Sequence, residues 1–169
     1  MIREPYIFTA AELDEARRTW GCNCGPAALA HFARCRLEEA RDAIPGFAEK
    51  RYTSPSMMQA GLVKLAMPWN DAGAKAWLFV VHRPALVRVQ FTGPWTQPGA
   101  NPKWAYRHTH WMVTWQDDKR GPMVFDVNCL VAPYEGWRRD VLPELIKSIT
   151  HADGWESTHV WRLKVGEGA

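Results

Sequence analysis

The apolar positions fall into two textures along the chain. In the first third they recur at helical spacing. Residues 10–18 form an amphipathic stretch with Thr9 placed as an N-cap. Residues 20–23 break the pattern, and a second helix is expected over 25–36, opened by Gly25-Pro26. Proline suits a first helical turn because its missing N–H has no role there. A short helix over 37–44 is ended by Pro45-Gly46. Ser54-Pro55 then opens a helix expected over 55–67, with Met58, Leu62 and Leu65 on one face. From residue 76 the texture is strand-like. Strands are expected over 76–81, 85–91, 104–115 and 122–127, with a Pro/Gly-rich loop over 93–102 and a turn at 117–121. A helix over 137–149 and a strand over 158–165 complete the chain. Helices first, then an antiparallel sheet with one late helix, is an α+β layout.

The length of 169 residues suits one domain spanning 1–169. A net charge of +3, with basic pairs scattered (Arg17-Arg18, Arg138-Arg139), gives no nucleic-acid footprint. No run reaches the ~18 apolar residues that would span a bilayer. The first five residues lack the apolar core of a signal peptide, so a cytoplasmic location is expected. Four cysteines (Cys22, Cys24, Cys35, Cys129) are too few and too irregular for a disulfide framework, which leaves thiols available for chemistry.

The strongest chemical signal is Asn23-Cys24-Gly25-Pro26-Ala27-Ala28-Leu29. It sets a thiol at a helix start, where exposed backbone N–H groups and the helix dipole favour thiolate over thiol. The bland alternative is an inert cysteine on an Ala-rich helix. A nucleophile also needs a base. His31 lies seven residues on, ~10 Å along a helix, and His82, His151 and His159 come without a paired acid. The better base is His110, in His108-Thr109-His110-Trp111-Met112-Val113. His108 is expected on the same strand face, as a second contact or a plain strand histidine. The turn at 117–121 pairs this strand with Val124-Phe125-Asp126-Val127-Asn128, so Asp126 or Asn128 is positioned to orient the imidazole. Zinc is the competing use of Cys22, Cys24, His31 and Cys35. Cys24 does not readily join a His31–Cys35 pair about two and three turns further along the helix, so no metal is expected.

Cys24-Gly25-Pro26-Ala27-Ala28-Leu29, then His110-Trp111-Met112-Val113, then Phe125-Asp126-Val127-Asn128, resembles the papain-like cysteine peptidase superfamily over about residues 20–130. It looks closest to the bacteriocin-processing peptidase domains of ABC transporters, more loosely like phytochelatin synthase, and similar to small proteins carried by phages. The resemblance implies a papain-like fold, a Cys24–His110–Asp126/Asn128 triad, a peptide or protein substrate, and no cofactor. These families carry a Gln a few residues before the cysteine as an oxyanion donor. Here positions 17–20 hold Arg17, Arg18, Thr19 and Trp20, which leaves Asn23, the Trp20 N–H or other backbone groups as candidates. Other readings of the same residues are a papain-like fold that binds a partner without cleaving it, and a thiol deamidase or acyl transferase.

Overall fold

The computed structural model describes residues 8–74, 84–105 and 107–164. Five helices come first: α1 (Ala10–Trp20), α2 (Cys24–Ala33), α3 (Leu37–Ala43), α4 (Phe47–Lys50) and α5 (Pro55–Lys64). Each boundary has a local cause. Thr9 and Glu12 form a reciprocal capping box at the start of α1, and Gly21 ends it in the left-handed region. Ser54 Oγ accepts from Met57 N at the start of α5, with Pro55 in the first turn.

The rest of the fold is a six-stranded antiparallel sheet. Its strands are β1 (Trp69–Asp71), β2 (Ala85–Thr92), β3 (Thr109–Asp117), β4 (Gly121–Asp126), β5 (Leu130–Pro133) and β6 (Gly154–Leu163), in the order β1-β6-β2-β3-β4-β5. A short helix α6 (Pro102–Ala105) precedes β3. Between β5 and β6 the chain runs through α7 (Tyr134–Gly136), a π-helical turn over Trp137–Val141, and α8 (Leu142–Ser148). The mixed layout, helices before an antiparallel sheet, agrees with the α+β expectation.

Strand alternation divides the core in two. Leu86, Trp111, Val113, Phe125 and Trp161 pack with the N-terminal helices. Val87, Val89, Met112, Val124 and Val160 pack on the other side with Trp137 and Leu142. That period of two is the pleat of the sheet. Helix α2 lies across β2, β3 and β4. Its Ala27, Ala28 and Ala30 are fully buried, which lets the helix approach closely. Gly25 allows the closest approach: a Cβ there would lie 2.3 Å from Thr53 Oγ1.

Several expected boundaries shift. The strand expected from 104 begins at Thr109, because 102–105 form a helical turn. Helix α2 ends at Ala33, where Arg34 takes a left-handed conformation, and α5 ends at Lys64. The last strand starts earlier, at Gly154. Strands β1 and β5 and helix α4, none of them expected, are three or four residues long, too short for a periodic signal. The strand expected over 76–81 lies outside the described residues.

Candidate active site

Cys24 is the first residue of α2. Asn23 caps that helix, its Oδ1 accepting from Gly25 N at 3.0 Å while its Nδ2 donates to Arg51 O at 3.0 Å. The thiol is partly buried against the helix-side core. His110 is the second residue of β3 and is buried. The imidazole and the Trp111 backbone N–H both lie close enough to the Cys24 sulfur to stabilise its thiolate.

The β3–β4 register explains how a carboxylate reaches the histidine. Val113 pairs with Phe125. Carried one residue further, this sets Asp126 opposite Met112, diagonal to His110 on the same face. His110 Nε2 lies 2.9 Å from Asp126 Oδ2, which leaves Nδ1 to meet the thiol. Asp126 has no exposed surface. Its Oδ2 also accepts from Trp137 Nε1 at 2.8 Å, and its Oδ1 accepts from both Asn128 N and Asn128 Nδ2 at 2.8 Å. Of the two candidate partners for the imidazole, Asp126 makes the contact and Asn128 braces Asp126. From α1, Arg17 Nη2 donates to Val127 O at 2.8 Å and ties down the strand end that carries them.

These contacts shift the protonation of all three groups. Burial would by itself raise the Cys24 thiol, but the His110 charge, the His110 hydrogen bond and the Trp111 N–H outweigh it and bring the thiol below its ordinary value. Burial would lower His110, but the charge of Cys24 and the hydrogen bond to Asp126 hold the imidazole well above its ordinary value. For Asp126, burial opposes ionisation, yet the His110, Asn128 and Trp137 bonds keep it ionised. The favoured state is a thiolate–imidazolium pair beside a carboxylate. The other thiols contrast with this. Burial pushes Cys22 up to about 12 and Cys129 up to about 11, and Cys35 is buried.

The remaining candidates sit differently from the sequence expectation. Asn23 caps α2 through Oδ1 and gives one of its two Nδ2 hydrogens to Arg51 O, and it lines the cleft beside Cys24. The Trp20 ring packs edge-on to Phe47 under Arg41, and its carbonyl accepts from Arg51. His108 precedes β3 instead of sharing its face with His110, and packs at a tilt against Trp95 with ring centroids 3.9 Å apart. His31 stacks on Phe125 at 4.3 Å. Among the described residues, no three His, Cys, Asp or Glu side chains converge as metal ligands.

Cys24 opens onto a cleft of about 640 Å³ lined by Asn23, Tyr52, Thr53, Ser54, Lys103, Arg107, Thr109 and Trp111. Sequence reasoning did not find Trp137 or the cleft walls. The indole N–H of Trp137 is eleven residues from Asp126 across a strand and a helical turn, and no local pattern links them. No protein-family model matches the chain, and no curated protein sequence matches it. Among the described residues, no helix is long and apolar enough to cross a membrane.

Proposed function

We propose that the protein is a papain-like cysteine hydrolase that cleaves an amide bond in a peptide or protein through a thioester. The observation that carries this reading is His110, which faces the Cys24 thiol on one side and is hydrogen-bonded to the buried carboxylate of Asp126 on the other.

The Cys24 thiolate attacks the carbonyl carbon of the bound amide. The carbonyl oxygen takes up the negative charge, and the Cys24 backbone N–H at the head of α2 faces it as a donor. Of the next backbone groups, the Gly25 N–H is already given to Asn23 and Pro26 has none. The tetrahedral intermediate collapses, the C–N bond breaks, and His110 protonates the departing amine. Water then attacks the thioester with His110 as base. The carboxylic acid product leaves and the thiol returns. Asp126 stays ionised throughout, holding the ring so that Nδ1 faces sulfur and stabilising the imidazolium.

Site-resolved alkylation with iodoacetamide tests this on the native protein. Cys24 should react far faster than Cys22, Cys35 and Cys129 at neutral pH, and His110→Ala should remove that advantage. Equal, slow labelling of all four thiols would overturn the assignment.

A further inference from the structure

The cleft around Cys24 has a marked charge character. Lys103 on α6 and Arg107 in the turn before β3 both line it, and both side chains are exposed. A second cavity of about 620 Å³ shares Ser54 with the first, so the two adjoin. Its wall includes Ser56, Gln90, Thr158, His159 and Arg88. Arg88 is only 4% exposed, and its Nη1 donates to Thr158 Oγ1 at 2.8 Å. Its charge is felt locally: burial first, and then the Arg88 guanidinium, push His159 below its ordinary value. Among the described residues lining the two cavities there are three Lys or Arg side chains and no Asp or Glu.

The cationic wall is also held in place. Gln90 Nε2 donates to the carbonyls of Ala105 and His108 at 2.9 and 3.0 Å, and to Phe91 O at 3.0 Å. This pins the turn on both sides of Arg107. The Arg107 N–H closes onto Trp104 O at 3.2 Å. A cation mounted on a fixed turn loses little freedom when an anion binds, and a concave wall of one sign concentrates oppositely charged ligands.

We propose that the substrate carries an acidic side chain next to the bond that is cleaved, and that Lys103 and Arg107 select it by its carboxylate. This rests on the hydrolase reading above and adds a substrate class to it. The guanidinium of Arg107 offers paired donors to a carboxylate, Lys103 adds a mobile second charge, and the adjoining cavity over Arg88 extends the same preference along the chain.

The test uses two acyloxymethyl ketone peptides that alkylate a reactive thiol and differ only in Asp or Asn beside the reactive group. The rate of Cys24 labelling is followed by mass spectrometry. The Asp probe should react about tenfold faster than the Asn probe. The ratio should fall towards one in Lys103→Gln/Arg107→Gln, with cooperative melting showing that the variant folds. Lys119→Gln/Lys147→Gln removes the same formal charge from exposed positions that line neither cavity and should keep the ratio. An Asn probe that reacts as fast as the Asp probe, or a ratio that survives in Lys103→Gln/Arg107→Gln, would overturn the proposal and leave the hydrolase reading standing. Failure of both probes to prefer Cys24 over the other three cysteines would overturn the hydrolase reading itself, and the substrate proposal with it.

Discussion

Asp126 holds the imidazole of His110 at 2.9 Å from a position with no exposed surface, and three further donors from Asn128 and Trp137 converge on the same carboxylate. A buried charge with this many donors is both a structural and an electrostatic element. Asp126→Ala strands them all and should cost about 3–5 kcal/mol, measured by urea denaturation. Asp126→Asn keeps the shape and should cost less. It removes the charge that favours the imidazolium, so the rate of Cys24 alkylation at neutral pH should drop about tenfold or more. An Asp126→Asn protein with wild-type alkylation would contradict the role given to Asp126.

The pH profile of alkylation should carry the signature of the pair. The thiol of Cys24 is lowered from 9.0 and the imidazole of His110 is raised from 6.5. Thiolate is therefore present below the pH at which a free thiol ionises, and the imidazolium persists above the pH at which a free histidine loses its proton. Reactivity should rise at acidic to neutral pH and change again at alkaline pH as His110 deprotonates. In His110→Ala a single rise near the free-thiol value, or above it, should remain. Stopped-flow alkylation across the pH range checks both curves.

Gly25 is required by packing. A methyl group there would meet Thr53 Oγ1 at 2.3 Å and Cγ2 at 2.4 Å. Gly25→Ala should destabilise the protein by about 1–3 kcal/mol and displace the thiol from His110. Adding Thr53→Ala removes the two closest atoms and should recover part of the loss in a double-mutant cycle. Additive effects of the two changes would argue against the contact.

His31 should make the fold acid-sensitive. Burial, with a smaller effect from the Arg34 charge, pushes its imidazole from 6.5 down to about 4. The folded protein keeps His31 neutral while the unfolded chain takes up a proton as pH falls below 6.5. Stability is therefore lost between pH 6.5 and 4, by about 3 kcal/mol, and the loss is complete below that window. His31→Phe keeps a ring against Phe125 and should flatten this part of the stability profile. An unchanged profile would show that another group, such as Asp126, governs acid unfolding.

What the sequence determined by itself was local. The break before Cys24, the Gly-Pro opening and the small residues behind it place a thiol at a helix head, because helix starts and first turns depend on neighbours within four residues. The turn at 117–121 and the alternation around it bring Asp126 towards His110, because a hairpin register is set by its own loop. Tertiary structure decided the rest. Whether Asp126 or Asn128 meets the imidazole depended on the diagonal geometry across β3 and β4. Asn23 is oriented by Arg51, on a different element, whose carbonyl takes one of its amide hydrogens. His108 lies outside the strand because its N–H closes a turn onto Ala105 O. The brace from Trp137 and the cationic walls at Lys103, Arg107 and Arg88 come from segments far apart in the chain. Such contacts form only when the sheet closes, and their hydrogen bonds and charges leave no periodic trace in the order of residues.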